Sequence, residues 1–171
     1  MAWADFTDAP PSIALLQRSL ERGRLGHAYL FSGDAPDLLE RLQARFHPWP
    51  LISGWNLSIA AVAPGQAMMV LQPGPTVVNG PRGNVNGGVL ATMADMVSAL
   101  ALSTAFDGLM PFATSDLHIR YLEPARGETR AEAQVIRISP RGAVTECRIL
   151  CGGTIVGLCT AHFAIKPGLP G

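Results

Sequence analysis

Residues 87–106, GGVLATMADMVSALALSTAF, decide how this chain folds. The stretch is rich in Ala, Leu and Met and contains no Pro, so it predicts one long helix. Asp95 is the only charged residue between Arg82 and Asp107, and apolar side chains cover almost every face of the predicted helix. A helix that is apolar all round has to be buried. We therefore expect a sheet to wrap around it.

The chain on both sides of this helix predicts strands. Before it, NLSIAAVAP and QAMMVLQP meet at Pro64 and Gly65, as in two strands joined by a tight turn. After it, TSDLHIRYLEP alternates apolar Leu117, Ile119 and Tyr121 with polar residues. Three more strands are predicted, and with TSDLHIRYLEP they would form an antiparallel meander; they cover 128–139, 143–150 and 154–165. The pattern predicts an α+β fold.

Composition favours one core-rich globular domain. Of the 171 residues, 48% are hydrophobic and 15% are charged, against about 25% charged residues in an average domain. Basic and acidic side chains cancel to a formal charge of zero, so no broad positive field exists to hold nucleic acid or an anionic membrane. The opening MAWADFTDAPP lacks the basic start and apolar run of a secretory signal, which predicts a cytoplasmic protein.

Two other readings of the sequence are disfavoured. The long helix could span a bilayer by length, but Asp95 lies at its middle and the following strands need it as their core. A disulfide framework or a zinc site is also not indicated, because the three cysteines form no CxxC pair and the four histidines are scattered; the cysteines are Cys147, Cys151 and Cys159. We expect the cysteines to be small apolar residues on strands, and we expect no metal and no cofactor.

The first 45 residues differ from the rest. Charged residues are frequent up to Arg45, whereas Phe46 to Pro81 contain none. We therefore expect a helical extension at 1–45 and the main domain at 46–168. Helices are predicted around Ile13 to Leu20 and from about Pro36 to Phe46.

Part of this extension, ALLQRSLERGRLGHAYLFSGD, resembles the N-terminal stretch of bacterial clamp-loader subunits of the AAA+ class. A nucleotide-binding member would continue with GxxxxGK[ST], but residues 34–45 contain no Gly or Lys. This absence argues against an ATPase, and the sequence assigns the extension no function.

Asp95 and the residues before the helix are the first candidates for a functional site. A carboxylate in an apolar helix is costly without partners, and such groups concentrate at working sites. The structural alternative is an Asp that emerges at the helix edge, or one that is capped by hydroxyls such as that of Ser98. Asn86, Gly87 and Gly88 leave amides free at the helix N-terminus, where the dipole favours negative charge. These amides could form an oxyanion hole, or the glycines could serve only the turn.

Gly87 and Asp95 cannot act on the same atom from one helix. Eight residues separate them, which is about 12 Å along the axis, whereas both groups have to lie about 3 Å from one reacting carbonyl. If they cooperate, Gly87 comes from one subunit and Asp95 from a second one across a two-fold axis. Cooperation therefore predicts a dimer.

The stretches NGPRGNVNGGVLATMADM and TSDLHIRYLEPARGETRAEAQVIRI resemble the hotdog-fold acyl-CoA thioesterases of the PaaI-like branch. The resemblance covers Phe46 to Lys166 and implies a hotdog fold, in which an antiparallel sheet wraps a long central helix, in a dimer or a dimer of dimers. It implies that Asp95 is the catalytic carboxylate, acting as nucleophile or as the base that activates water. Gly87 would supply the oxyanion amide.

The same resemblance implies further roles. Asn79 matches the loop asparagine, Thr114 matches the strand hydroxyl that places water or thioester, and Gly88 belongs to the substrate-binding turn. Arg141 would face the phosphates of coenzyme A, or it is a solvated turn arginine. The family commonly has His where this chain has Asn86, and Asn can donate a hydrogen bond but cannot carry a proton near neutral pH. Three apolar helix residues would line the acyl pocket or belong to the core: Met93, Met96 and Val97.

The implied activity is hydrolysis of a small or medium acyl-CoA to the free acid and coenzyme A. The alternative is a non-catalytic hotdog module that binds acyl-CoA or scaffolds a partner, which Asn86 and the extension motivate. A hotdog hydratase is disfavoured because Leu100 stands where its D-x(4)-H pattern requires His.

Overall fold

The computed structural model describes residues 35–79, 81–106 and 112–165. The helix predicted around Ile13 and the clamp-loader-like stretch lie outside these ranges. The second predicted helix is confirmed as α1 (Ala35–Phe46), and a short helix α2 (Pro50–Gly54) follows it.

The main sheet contains six antiparallel strands, and a separate two-stranded ladder precedes the long helix. The strands of the sheet are β1 (Leu57–Ala63), β2 (Gln66–Leu71), β5 (Phe112–Tyr121), β6 (Thr129–Ser139), β7 (Gly142–Cys151) and β8 (Thr154–Ile165). The ladder, which the sequence pattern did not predict, consists of β3 (Val78–Asn79) and β4 (Asn84–Val85). The long helix is α3 (Gly87–Ala105).

Strand order in the sheet is β1-β2-β6-β7-β8-β5. Strands β6, β7 and β8 form a meander, but β5 pairs with β8 at the far edge, where Leu117 lies opposite Ala161. The prediction of one four-strand meander is therefore wrong for β5. Residues 122–128 connect β5 to β6, and this connection is longer than a hairpin loop, so β6 can reach β2 instead.

The sheet covers most of α3, as its apolar sequence predicted. The buried residues of the helix are Val89, Leu90, Met93, Ala94, Val97, Ser98, Leu100, Ala101, Leu102 and Thr104. One stripe is less covered, however, and its residues recur every three or four positions, as one face of a helix requires. This open stripe consists of Gly88, Thr92, Asp95, Ala99 and Ser103.

The core lies between α3 and the sheet. Met93 and Val97 of the helix have no exposed surface, and they belong to the same cluster as Met69 and Ile149 of the sheet. Full burial of such a side chain contributes about 1.5–3 kcal/mol. Among the described residues, α3 is the one helix that is long and apolar enough to cross a membrane. However, 56% of its most apolar stretch is buried within the protein.

The β1 edge of the sheet is covered by the first helix. Leu42 of α1 is buried in the core, and Gln43 Nε2 donates a hydrogen bond of 2.9 Å to the carbonyl of Ile59. Such a contact protects an edge that would otherwise offer unpaired backbone groups. The opposite edge, β5, has β8 as its only strand partner in the described part of the chain.

Candidate active site

The carboxylate of Asp95 has a hydrogen-bond partner on the sheet. Thr114 Oγ1 donates to Asp95 Oδ1 over 2.8 Å. Asp95 is partly exposed on the open stripe, and Thr114 lies near the start of the edge strand β5. The structure therefore brings together two of the residues that the family resemblance implied.

A bulge in β5 turns Thr114 towards the helix. The register between β5 and β8 shifts between Thr114 and Asp116, so Ser115 is the extra residue, and its hydroxyl donates to the carbonyl of His162 over 3.1 Å. Strict alternation would place Thr114 on the same outer face as Asp116. The extra residue instead sets Thr114 opposite the buried Phe163, on the helix side of the sheet.

Ser98 does not cap Asp95. Its hydroxyl is fully buried and has no hydrogen-bond partner among the described residues. The prediction of a Ser98 cap is therefore wrong, because the carboxylate pairs with a strand hydroxyl and not with a helix hydroxyl. Asp95 does lie at a less covered edge of the helix, as the other structural alternative stated.

Asn86 is the N-cap of α3. Its backbone is extended, with φ −61° and ψ 135°, and its Oδ1 accepts a hydrogen bond of 2.7 Å from the Gly88 amide. Its own backbone amide donates to the carbonyl of Val77 over 2.8 Å. Because Oδ1 is engaged by a donor, the Nδ2 group is the part of the side chain left to donate. The Gly87 amide has no hydrogen-bond partner within the described ranges.

Tyr121, at the end of β5, contacts the same turn. Its hydroxyl donates a 2.6 Å hydrogen bond to the carbonyl of Gly87, and a Cβ added at Gly87 would lie 3.3 Å from the tyrosine ring. Alternation along the strand predicts that Tyr121 lies on the buried face, but the residue is 51% exposed. Sequence patterns do not reveal this contact, because it depends on how β5 and α3 pack.

The candidate residues form two groups within one protomer. One group pairs Asp95 with Thr114, and the other gathers Asn86, Gly87 and Gly88 at the helix start. The two groups are about 12 Å apart along α3. No hydrogen bond in the described part of the chain connects them.

Asn79 and Arg141 lie apart from both groups. Asn79 is exposed in the β3–β4 ladder opposite Asn84. Arg141 is exposed in the β6–β7 turn, where its carbonyl accepts a hydrogen bond from the Ile165 amide. Within one protomer, no hydrogen bond or ion pair of the described residues joins either side chain to the candidate site.

A cavity of about 370 Å³ opens beside Gly87. Its walls are mostly apolar, and Glu123 is its one ionisable carboxylate. The lining residues are Asn84, Val85, Gly87, Leu90, Tyr121, Leu122, Glu123, Pro124 and Ala125. Met93, Met96 and Val97 do not line it; Met93 and Val97 are core residues, and Met96 packs against the core.

The cysteines are strand residues, as predicted. Cys147 of β7 and Cys159 of β8 lie opposite each other and are buried, and all three thiols are free. Burial raises the pKa of Cys147 to about 12. Burial, together with the nearby carboxylates of Asp95 and Asp116, raises the pKa of Cys159 to about 11. Both thiols therefore stay protonated at neutral pH and are poor nucleophiles and metal ligands.

Comparison with known proteins identifies the family. The sequence model described as the thioesterase superfamily matches residues 82–157. A protein of Halobacterium salinarum that is named as an esterase is 31% identical over 121 residues, which cover 68% of this chain and 80% of that protein.

Solved structures share the fold. The PaaI protein of E. coli, from the phenylacetic acid degradation operon, has a TM-score of 0.70 and 19% identity, over 80% of this chain and 98% of that one. A thioesterase of Haemophilus influenzae has a TM-score of 0.68 and 18% identity, over 81% and 92% of the two chains. This chain therefore belongs to the thioesterase superfamily, whose chemistry is thioester hydrolysis, and it has the hotdog fold.

Proposed function

We propose that this protein hydrolyses a small or medium acyl-CoA thioester to the free acid and coenzyme A, at a site shared by two copies of the chain. One observation carries the proposal. Each protomer holds a hydroxyl-paired carboxylate, Asp95, and a helix N-terminal amide, Gly87, that has no partner among the described residues; the two lie on the same helix but about 12 Å apart. Each group is one half of a thioesterase site.

The helix start suits the carbonyl of the substrate. The Gly87 N–H and the Asn86 Nδ2 group are two neighbouring donors, and the helix dipole adds positive potential at the same place. Attack on a thioester turns its carbonyl oxygen into an oxyanion. Donors aimed at that oxygen stabilise the transition state more than the ground state.

The partner's carboxylate supplies the nucleophile or the base. Because Thr114 binds Oδ1 of Asp95, Oδ2 is left to attack the carbonyl or to take a proton from water. With water as nucleophile, Oδ2 takes a proton from the water as the C–O bond forms and the carbonyl oxygen becomes the oxyanion. The C–S bond breaks when this oxyanion re-forms the carbonyl, and coenzyme A leaves as the thiol with the proton that Asp95 held. Thr114 holds the carboxylate in one orientation for this step.

Three surfaces of the protomer favour contact with a second copy of the chain. Strand β5 has ten residues and an open edge in the described structure, and such edges are normally covered. Tyr121 and Leu122 at its end are each 51% exposed. The open stripe of α3, which contains Asp95, is less covered by the sheet than the rest of the helix. An antiparallel dimer through these surfaces would bring Asp95 of one protomer towards Gly87 of the other.

The cavity beside Gly87 suits an apolar acyl group. Val85, Leu90 and Leu122 are among its apolar walls, and Glu123 would repel an acyl chain that ends in a carboxylate. Arg141 is the proposed contact for the phosphates of coenzyme A, because a guanidinium binds phosphate with paired hydrogen bonds. Asn79, in the ladder before α3, is proposed to support the substrate-binding turn.

Two variants test the shared site. Asp95→Asn removes the acid–base group and is expected to abolish most turnover in a free-thiol release assay over a panel of acyl-CoAs. Gly87→Pro removes only the proposed oxyanion N–H: proline suits the first helical position, and the extended backbone of Asn86 is compatible with a following proline. The Tyr121 ring has to shift by a few tenths of an ångström.

Mixing the two inactive variants decides whether the site is shared. If subunits exchange after joint refolding, half of the dimers contain both variants, and each of these has one intact site, which gives about 25% of wild-type activity. A site within one protomer predicts no recovery. Binding of acyl-CoA by the wild type without thiol release would contradict the proposal and favour the non-catalytic module.

A further inference from the structure

We propose that Tyr121 is a positioning residue that holds the two oxyanion donors, the Gly87 amide and the Asn86 side chain, in one fixed frame. The inference rests on the proposed function, because the proposed function is what makes these two groups oxyanion donors. It adds a role for Tyr121 that neither the family resemblance nor the sequence periodicity assigned to it.

A chain of hydrogen bonds runs through a single peptide group. Tyr121 Oη donates to the carbonyl of Gly87 over 2.6 Å, and the N–H of the same peptide, which belongs to Gly88, donates to Asn86 Oδ1 over 2.7 Å. Hydrogen bonds at the two ends of one peptide polarise each other and are strengthened. The tyrosine hydroxyl thereby also stabilises the orientation of the Asn86 side chain.

Gly87 needs this external restraint. A glycine has no Cβ and has more conformational freedom than other residues, and the first turn of a helix lacks intrahelical partners for its amides. The Tyr121 hydroxyl restrains the Gly87 carbonyl, and its ring occupies the space beside the missing Cβ. Thr92 Oγ1 restrains the next carbonyl, that of Gly88, over 2.9 Å.

The position of Tyr121 favours positioning over simple packing. Although the ring is half exposed within one protomer, its hydroxyl is directed to a single backbone carbonyl, that of Gly87. The residue also lies on β5, the strand that carries Thr114 and so orients Asp95. In each protomer, this one strand therefore positions both groups that the protomer contributes to the two shared sites, which a fold-stabilising role alone would not require.

The hydroxyl deletion Tyr121→Phe tests the proposal, because it keeps the ring against Gly87. Loss of one such hydrogen bond is expected to lower kcat about two- to tenfold, with KM unchanged, since only transition-state stabilisation is affected. Ser58→Ala is the control: it removes a 3.5 Å hydroxyl-to-carbonyl bond, to Val70, on β1 at the opposite edge of the sheet. This control is expected to keep the wild-type kcat.

A measurement without turnover separates this inference from the proposed function. In Tyr121→Phe, the Gly88 amide is expected to shift in the ¹H–¹⁵N spectrum and to exchange faster with solvent, while Ser58→Ala leaves it unchanged. An unchanged Gly88 amide overturns the inference, and so does a rise in KM with constant kcat, which would make Tyr121 a substrate wall. If the wild type cleaves no thioester, the proposed function fails, and the Gly88 signal still decides whether Tyr121 orders this turn.

Discussion

The hydroxyl of Thr114 reaches Asp95, 2.8 Å away, because β5 contains one extra residue at Ser115. Without that bulge, Thr114 would face the outer surface of the sheet. Bulges occur next to active sites because they redirect a single side chain without disturbing the rest of the strand. The Thr114–Asp95 pair is therefore a local deviation from a regular strand, and it is the feature that orients the proposed catalytic carboxylate.

Thr114→Val should lower kcat by about tenfold or more. Valine has the shape of threonine but no hydroxyl to donate, so the carboxylate of Asp95 is no longer held at Oδ1 and can rotate. Thr114→Ser keeps the hydroxyl and is expected to stay within a few-fold of the wild type. Steady-state thioester hydrolysis measures both. Equal activity of the Val and Ser variants would show that the hydrogen bond has no part in catalysis.

Asn86→Asp separates capping from catalysis. An aspartate can still accept the Gly88 amide, and its charge suits the helix N-terminus, so the thermal midpoint should stay or rise. The variant lacks the Nδ2 donor and sets a negative charge beside the oxyanion, so kcat should fall about 100-fold. Asn86→Ala is the reference that loses both functions, with a stability cost of about 1 kcal/mol. An active Asn86→Asp enzyme would remove Asn86 from the oxyanion hole.

Met93→Ala should destabilise the fold by about 2–5 kcal/mol, because Met93 has no exposed surface and truncation leaves a cavity between α3 and the sheet. Met96→Ala is the matched control, since Met96 is only partly buried and should cost less. Urea unfolding measures the free energy of unfolding for both. Equal losses would indicate that both side chains are buried in the assembled protein.

The two buried thiols make stability fall at high pH. Burial raises their pKa from an ordinary value of 9.0 to about 12 for Cys147 and about 11 for Cys159, so the folded state holds these protons more tightly than the unfolded chain. The resulting stabilisation is fully present below pH 9 and is lost as the pH rises towards 11–12. The free energy of unfolding should therefore decline across this window.

The double variant Cys147→Ala and Cys159→Ala should flatten that decline. Cys151→Ala is the control, because Cys151 is only partly buried at the end of β7, and it should keep the wild-type profile. The same contrast is expected with iodoacetamide at pH 8, where Cys151 should be alkylated before the two buried thiols. A pH profile that the double variant leaves unchanged would contradict the assignment.

Much of the fold follows from local sequence patterns. The apolar run around Met93 indicates a buried helix, and the alternation of Leu117 and Ile119 indicates a half-buried strand, because both signals depend on residues only a few positions apart. The turn at Pro64 and Gly65 is equally local, and the structure has Gly65 at φ +71°. Asp95 was already a candidate because it is the one charge in an apolar helix; the family resemblance added Thr114, and the structure places the two in contact.

Long-range pairing decided the rest. Periodicity does not say which strand lies beside which, so the position of β5 next to β8 could not be predicted from the residues of β5. The bulge at Ser115 and the bond from Tyr121 to Gly87 depend on strand register and on how α3 crosses the sheet. Sequence patterns specify which face of each element is apolar. The orientation of Thr114, Asn86 and Tyr121 arises only when those faces pack together. The hydrogen-bond partners of these three residues lie on other elements or on a turn that packing holds in place.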